Sequence, residues 1–173
     1  MRGGEMSALS PVAGDRRAVA WRAAACVTDP EVPVLSIADL GILSDVEIDQ
    51  AGAVCVTILP TYSGCPAMGV IALDVETALA KAGFDHVSVK LSHSSAWSTD
   101  MMSDAARDKL RVYGIAPPAK GAGKRALFGT PEVACPRCGS RETERISEFG
   151  STACKALWRC VACREPFDHF KCI

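Results

Sequence analysis

The chain has 173 residues, which is enough for one well-packed core and a small second unit. Its net charge is −1, no apolar run is long enough to cross a bilayer, and residues 1–7 lack the apolar segment of a secretory signal. We therefore expect a cytoplasmic protein that binds neither membrane nor nucleic acid, and its nine cysteines favour metal or thiol chemistry over a disulfide framework.

The first part of the chain predicts a tail, a helix and a rigid loop. Residues 1–14 are expected to form a disordered tail, and an apolar stripe predicts a helix from about Arg16 to Thr28 that places Cys26 in the core. Asp29 and Glu31 follow in a loop whose prolines bias their predecessors toward extended geometry. The two acids are either turn residues, which their spacing favours, or a carboxylate pair that binds a cation or orients a thiol.

The next stretch predicts a β-hairpin and then a helix with a cysteine at its start. Apolar residues in 42–48 and 54–59 indicate two strands, and Cys55 lies mid-strand in a structural role. Apolar residues recur at helical spacing over 68–82, and Pro66 suits the first helical position. Cys65 then lies at or beside the N-cap, where free N–H groups and the helix dipole favour a thiolate. The local pattern also fits a small buried hydrophobe, so both interpretations stay open.

A third strand and a third helix complete the first unit. Alternation over residues 87–91 predicts the strand, and the helix is expected to start at Ser98 or Ser103, which are both good caps, and to end at Gly114. Helix, hairpin, helix and strand indicate a two-layer α/β domain with a small mixed sheet over residues 15–116. Residues 117–131, rich in Gly, Ala and Lys, are predicted to be a linker.

Two C-x₂-C knuckles dominate residues 132–173. Cys135 and Cys138 are followed after 21 residues by Cys160 and Cys163, a spacing typical of a tetracysteine metal site. The unit has too little apolar core to fold alone, so we predict a zinc-ribbon-like domain folded by its metal. Zinc is favoured because four thiolates close a structural site, although four thiolates also suit iron.

This unit also contains two further cysteines and four aromatic residues. Cys154 and Cys172 are expected to be packed or free thiols, and Cys154 is the better candidate for reactivity or alternative ligation. Four aromatic residues are predicted to pack around the metal: Phe149, Trp158, Phe167 and Phe170.

Several of these motifs resemble the metal–sulfur cluster biosynthetic domain family, whose members assist iron–sulfur assembly. The similar stretches are residues 29–34, 39–42 and 61–67. Further stretches at residues 97–100, 113–118, 149–156 and 165–171 make the chain similar to one branch, the D subunits of bacterial phenylacetyl-CoA epoxidase systems. The resemblance covers nearly all of residues 16–173.

The resemblance implies an iron–sulfur-assembly-type fold, with Cys65 as the functional thiol and a role in aerobic phenylacetate catabolism. The implied partners are a di-iron oxygenase and a reductase that carries flavin and a [2Fe–2S] cluster. The expected function is that of an accessory maturation factor that assists iron or iron–sulfur cluster insertion. The alternative is a non-catalytic structural or regulatory subunit that docks within the epoxidase complex.

An independent catalyst is not expected. The sequence lacks a Ser-His-Asp order, a phosphate-binding glycine loop and the Glu-x-x-His pairs of di-iron proteins. One thiolate at Cys65 cannot hold an iron–sulfur cluster, which normally takes four protein ligands. We therefore expect any cluster or iron to be bound transiently, with the missing ligands from a second copy of the chain, as in a homodimer, or from the client protein.

Overall fold

The computed structural model describes residues 13–62, 64–93, 96–121 and 132–171. Residues 1–12 of the predicted tail, most of the predicted linker and Cys172 lie outside these ranges, whereas residues 13 and 14, also assigned to the tail, begin the first helix. No described helix is long and apolar enough to cross a membrane. The elements, in chain order, are α1 (Ala13–Ala25), β1 (Leu43–Ile48), β2 (Val54–Ile58), α2 (Ala67–Lys81), β3 (Val87–Leu91), a 3₁₀ turn (Thr99–Met101), α3 (Asp104–Tyr113), β4 (Thr143–Ser147), β5 (Lys155–Cys160) and β6 (Pro166–Phe170).

Helix α1 ends three residues before the predicted boundary, and this overturns the expected burial of Cys26. The helix stops at Ala25, and Thr28 instead pairs with Ser36 in an isolated antiparallel bridge. Cys26 falls in the turn between helix and bridge and is exposed. The prediction that Cys26 belongs to the core is therefore wrong, because the helical periodicity that placed it there ends before it.

The predicted mixed sheet is confirmed. Strands β1 and β2 form an antiparallel hairpin, and α2 connects β2 to β3, which runs parallel to it. Val54, Val56 and Ile58 point into the core, because alternate residues of a strand face one side of the sheet. Cys55 lies on the opposite face and is half-buried.

Helix α3 begins at one of its two predicted caps. The Ser103 hydroxyl accepts a hydrogen bond from the Ala106 N–H at 3.0 Å, whereas Ser98 precedes the 3₁₀ turn without a side-chain cap. The helix ends at Gly114, whose φ of 95° is a left-handed conformation suited to glycine.

The second unit is an antiparallel three-stranded ribbon in the order β4-β5-β6. Trp158 and Phe167 pack with Cys135 and Cys160 in its small core, as predicted. The prediction fails for Phe149, which is 64% exposed. The Phe149 side chain follows the end of β4, away from the cysteines. The Lys171 ammonium nitrogen lies over its ring, 4.4 Å from the ring centre.

Phe170 also departs from the prediction, since it belongs to the core of the α/β unit. Its ring lies 6.3 Å from that of Trp97, whose indole N–H donates to the Leu40 carbonyl at 2.9 Å. Ala116 adds a short parallel bridge to β6: its N–H donates to the Asp168 carbonyl and its carbonyl accepts from the Phe170 N–H. The ribbon is therefore anchored to the α/β unit through its last strand.

Candidate functional site

Four cysteines converge at one end of the ribbon. The sulfur atoms of Cys135, Cys138, Cys160 and Cys163, which we call the tetrathiol centre, all lie within 4.8 Å of one another. The Cys135–Cys163 and Cys138–Cys160 sulfur pairs are 3.8 and 3.5 Å apart. A zinc–sulfur bond of about 2.3 Å gives a tetrahedron with edges of roughly 3.8 Å. The four residues therefore fit the donor set of a tetrahedral zinc ion, and the two sulfur pairs at 3.8 and 3.5 Å are close to its edge length.

Local backbone geometry produces this convergence. The first knuckle turns at Gly139, whose N–H donates to the Cys135 carbonyl at 2.9 Å with φ of 75°. The second knuckle lies between β5 and β6, and there the Cys163 N–H donates to the Cys160 sulfur at 3.4 Å. Turns of this kind aim two sulfur atoms of each knuckle toward one point.

The thiols of the tetrathiol centre compete for protons. The Cys163 N–H stabilises the Cys160 thiolate and lowers its pKa. The Glu165 N–H acts in the same direction on Cys163, but burial and, after it, the three neighbouring thiols outweigh it and raise the pKa of Cys163. Four thiolates this close repel one another, so a bound dication is needed for all to ionise.

Cys65 lies where β2 leads into α2. Pro66 has helical dihedral angles, φ −69° and ψ −22°, and the Cys65 carbonyl accepts from the Met68 N–H at 3.4 Å. Pro66 is the N-cap of α2, one residue before its predicted place in the helix, and Cys65 lies beside the N-cap, as the sequence predicts. Its side chain is half-buried, and it packs at the edge of the main core.

The loop with Asp29 and Glu31 lies beside this helix start. Asp29 is 7% exposed, and its carboxylate accepts the N–H groups of Glu31 and Val32 at 2.8 Å each. These bonds are the turn chemistry that the spacing favours. Burial nevertheless raises the pKa of Asp29, against the lowering by these two N–H groups and by Lys155. Asp29 therefore shapes the loop, and Glu31 carries the accessible carboxylate.

A tyrosine and a ribbon cysteine join this group, which we call the Cys65 site. Burial raises the pKa of Tyr62 to about 12, with further contributions from the negative charge of Cys65, then Glu31, then Cys154. The Cys154 sulfur lies 3.6 Å from the Glu31 carboxylate, although the two residues are 123 positions apart. Sequence reasoning did not single out Tyr62, although it lies three residues before Cys65, and no local spacing could have placed Cys154 against Glu31.

The two sites differ in whether their residues form a complete set of metal ligands. Among the described residues, only the tetrathiol centre brings together three or more ligand atoms that could hold a metal ion as they stand. The Cys65 site offers sulfur, carboxylate and phenol groups around an incomplete ligand set. Cys26 and Cys55 take no part in either site, and Cys172 lies outside the described residues.

Comparison with known families divides the chain in the same way. Residues 17–91 match a family model described as iron-sulfur cluster assembly protein, and residues 119–171 match one described as PaaD zinc beta ribbon domain. A crystal structure from Bacillus anthracis, titled as a domain of unknown function (DUF59), superposes with a TM-score of 0.53 at 27% identity. That match covers 56% of this chain and 92% of the other. The fold and the cysteine sites thus define an iron–sulfur-assembly-type domain that carries a zinc ribbon.

Relatives define the family more narrowly. An Escherichia coli protein provisionally named as the D subunit of 1,2-phenylacetyl-CoA epoxidase is 48% identical over 168 residues, covering 97% of this chain and all of that protein. A Porphyromonas gingivalis protein named Fe-S protein maturation auxiliary factor is 37% identical over 81 residues, which are 46% of this chain and 76% of the other. The chain belongs to the family of phenylacetyl-CoA epoxidase D subunits.

Proposed function

We propose that this protein is an accessory maturation factor, which assists insertion of iron or an iron–sulfur cluster into the components of a phenylacetyl-CoA epoxidase system. The observation that carries the proposal is the open Cys65 site. Its thiol lies beside the start of α2, next to Tyr62, whose pKa is raised by burial and then by the charges of Cys65 and Glu31, and it belongs to no complete ligand group among the described residues, whereas the tetrathiol centre is already closed. An incomplete ligand set suits cargo that must be released.

Each group of the Cys65 site has a role in this proposal. Cys65 would supply a sulfur ligand beside the start of α2, and thiolate sulfur is a form that binds iron. Glu31 supplies an oxygen ligand, and hard carboxylates complement iron ions. Asp29 positions Glu31 by accepting its backbone N–H. The clients in this proposal are the di-iron oxygenase and the [2Fe–2S] flavin reductase of the system.

Zinc at the tetrathiol centre would supply folding energy and no chemistry of its own, because four thiolates leave no open coordination position. A cytoplasmic location is part of the proposal, since all eight cysteines of the described residues are free thiols and thiols persist in a reducing compartment.

The second candidate is a non-catalytic subunit that stays in the epoxidase complex. The name of the Escherichia coli relative, which calls it a subunit, favours this candidate. The two functions differ in what happens after assembly. A maturation factor raises the metal content of its client and then leaves, whereas a structural subunit remains at fixed stoichiometry.

The test is to express the oxygenase and reductase with and without this chain, and to measure iron, acid-labile sulfide and epoxidase activity in the purified components. We expect lower metal content and activity in its absence. Full metal content without the chain, together with loss of activity until the purified chain is added back, would favour the structural subunit instead.

Variants locate the effect within the chain. Cys65→Ser should abolish support of metal insertion while the zinc content and the circular dichroism spectrum stay unchanged. Cys55→Ser is the matched control, because Cys55 is also half-buried in the α/β unit but lies outside the Cys65 site. Full maturation activity from the Cys65→Ser protein would show that the functional centre lies elsewhere.

Alkylation offers an independent measurement. Because free N–H groups at a helix start activate a neighbouring thiol, Cys65 is expected to react with iodoacetamide faster than Cys55 and the exposed Cys26. Mass spectrometry after brief labelling reports the order. Equal labelling of the three would contradict an activated Cys65 thiol.

A further inference from the structure

A lysine of the ribbon is buried against the loop that carries Asp29 and Glu31. This loop, residues 28–36, is closed by an antiparallel bridge between its first and last residues, and we call it the acidic loop. The Lys155 ammonium donates to the Glu31 carbonyl at 3.2 Å, and the Cys154 sulfur lies 3.6 Å from the Glu31 carboxylate. We propose that Lys155 is a positioning residue through which the ribbon holds the acidic loop, so that zinc at the tetrathiol centre also orders this loop. The inference rests on the proposed function, in which Glu31 supplies an oxygen ligand.

The burial of Lys155 is unusual, because lysine is rarely buried unless its charge is paired. Its side chain is only 7% exposed, and its ammonium lies 3.8 Å from the Asp168 carboxylate of the ribbon. Its hydrogen bond, however, goes to Glu31 of the other unit. Burial raises the pKa of Asp29, and the positive charge of Lys155 is among the groups that oppose this effect. Lys155 is thus a buried cation whose partners lie on both units.

The acidic loop has internal hydrogen bonds to which Lys155 adds a contact with the ribbon. The Asp29 carboxylate accepts the N–H groups of Glu31 and Val32 at 2.8 Å each, and the Asp29 N–H donates to the Leu35 carbonyl at 2.9 Å. The side chains of Val32 and Leu35 pack in the main core. Opening of the loop would take the Glu31 carbonyl away from a buried ammonium, which is costly because that charge loses its acceptor.

The turn before β5 determines where the Lys155 side chain starts. The Lys155 carbonyl accepts from the Gly150 N–H at 2.7 Å, and the Lys155 N–H donates to the Thr152 carbonyl at 3.1 Å. The Ser151 hydroxyl donates to the Asp168 carboxylate at 2.9 Å, and a Cβ added at Gly150 would lie 2.5 Å from an oxygen of that carboxylate. The same closely packed turn therefore sets both the backbone of Lys155 and its counterion.

Strand β5 connects this contact to the tetrathiol centre. Lys155 and Cys160 are the first and last of its six residues, so their Cα atoms are roughly 17 Å apart. The strand is central in the ribbon and pairs with β4 on one side and β6 on the other. Because the ribbon has too little apolar core to fold without its metal, zinc that orders β5 also brings the ammonium to the acidic loop.

Hydrogen exchange of the full-length protein with zinc bound tests the inference, since the amides of a loop exchange when the loop opens. Lys155→Met removes the ammonium but keeps an unbranched side chain of similar length. We expect the amides of the acidic loop to exchange at least about tenfold faster, because a hydrogen bond to a charged group is lost. Zinc content and exchange in the β1–β2 hairpin should stay unchanged. Lys171→Met is the matched control, because the Lys171 ammonium donates within the ribbon, to the Glu148 carbonyl at 3.2 Å.

Two further measurements make the result specific to the ammonium and to zinc. Lys155→Arg retains a cationic donor, so its acidic loop should exchange more slowly than that of Lys155→Met. Removal of zinc with a chelator should speed exchange of the acidic loop in the unsubstituted protein. The same treatment should have a smaller effect on the loop in Lys155→Met, because the contact through which zinc acts is already absent.

Unchanged exchange of the acidic loop in Lys155→Met would overturn the inference. Equal exchange in Lys155→Met and Lys155→Arg would do the same, because the loop would then respond to packing and not to the ammonium. An equal response to zinc removal with and without the ammonium would show that zinc does not act through Lys155. If Lys155→Met does not fold, the unsubstituted protein decides, and a loop that keeps its exchange rates after zinc removal contradicts the inference.

The client metal content described above separates the inference from the proposed function. If Lys155→Met loosens the acidic loop and also lowers client metal content, both stand. If the loop loosens but the unsubstituted chain does not raise client metal content, the role of Lys155 stands and the proposed function fails. If the chain raises client metal content and Lys155→Met does so equally well with a loosened loop, the inference fails and the proposed function stands.

Discussion

The tetrathiol centre and the Cys65 site use the same residue type in opposite ways. In the ribbon, four sulfur atoms within 4.8 Å of one another complete a coordination shell, and both knuckles come from one short unit. In the Cys65 site, two thiols come from different units and share their surroundings with a carboxylate and a phenol. We infer from this difference that closure of the ligand set, and not the presence of cysteine, would separate a structural metal site from one that releases its metal.

The largest effect is expected at the tetrathiol centre. Structural zinc contributes about 10–16 kcal/mol of apparent binding free energy in small zinc domains, and Cys160→Ser should forfeit much of it. We expect loss of the metal and of the ribbon's near-ultraviolet signal from Trp158, which packs against the cysteines. Atomic absorption and circular dichroism are the measurements. Cys26→Ser is the control, and full zinc retention in Cys160→Ser would remove the distinction between the sites.

A smaller effect is expected where the two regions join. Trp97 is 5% exposed and packs on Phe170, so Trp97→Ala should destabilise the α/β unit by about 3–5 kcal/mol. Because Phe170 then loses support, Cys154 should become more accessible to alkylation while zinc stays bound. Denaturant unfolding and mass mapping test this expectation. Trp97→Phe keeps a ring against Phe170 but loses the hydrogen bond to Leu40 and part of the buried ring volume, so it should cost less than Trp97→Ala; equal costs would mean that ring packing does not join the regions.

Acid should weaken the ribbon through His169, which is 4% exposed and lies edge-on to Trp158. Burial lowers the pKa of His169 from 6.5 to about 4. Between pH 6.5 and 4, the His169 imidazole is therefore protonated in the unfolded chain and neutral in the folded chain. The stabilisation is complete above pH 6.5 and is lost as the pH falls toward 4, by roughly 3 kcal/mol in total.

Paired variants isolate this contribution from protonation of the thiolates. In His169→Gln the loss of stability between pH 6.5 and 4 should shrink, whereas His86→Gln, at an exposed position, should behave like the unsubstituted protein. Urea unfolding at fixed pH, with zinc monitored, is the measurement. An unchanged acid profile in His169→Gln would assign the whole acid response to the metal site.

The smallest effect tests whether the α/β unit can be perturbed alone. Ser103→Ala removes the cap of α3 and should cost about 1 kcal/mol, without change in zinc content or in Cys154 labelling. Ser98→Ala should cost less, because Ser98 makes no capping hydrogen bond. A change in zinc affinity in Ser103→Ala would show that the two regions are coupled through α3.

Sequence patterns predict the features that depend on neighbours in the chain. The knuckle spacing gives the four thiols, the strand and helix periodicities give the mixed sheet, and Pro66 places Cys65 at a helix start. Each of these rests on hydrogen bonds or sterics within a few residues. The wrong prediction for the burial of Cys26 also has a local cause. The end of a helix is set by competition between a further helical turn and other local structure, which here is the bridge from Thr28 to Ser36.

The remaining features depend on contacts between distant residues, which a single sequence does not encode in any period. Nothing in the spacing of Cys154 indicates Glu31, 123 positions away. Phe170 shows the same limit: its aromatic side chain is buried, but packing of the ribbon on Trp97, and not the metal that the sequence predicts, decides which core receives it. The exposed ring of Phe149 packs under the Lys171 ammonium and belongs to neither hydrophobic core.

The bridge between Ala116 and β6 has a consequence for anyone who expresses the ribbon by itself. A fragment that begins at residue 119, where the ribbon family match begins, lacks the segment that pairs with the outer side of β6. Its last strand would present unpaired N–H and carbonyl groups next to an uncovered Phe170, which is a template for strand addition between molecules. Such a fragment should bind zinc and still self-associate, and extending it to include Ala116 would shield only the backbone edge.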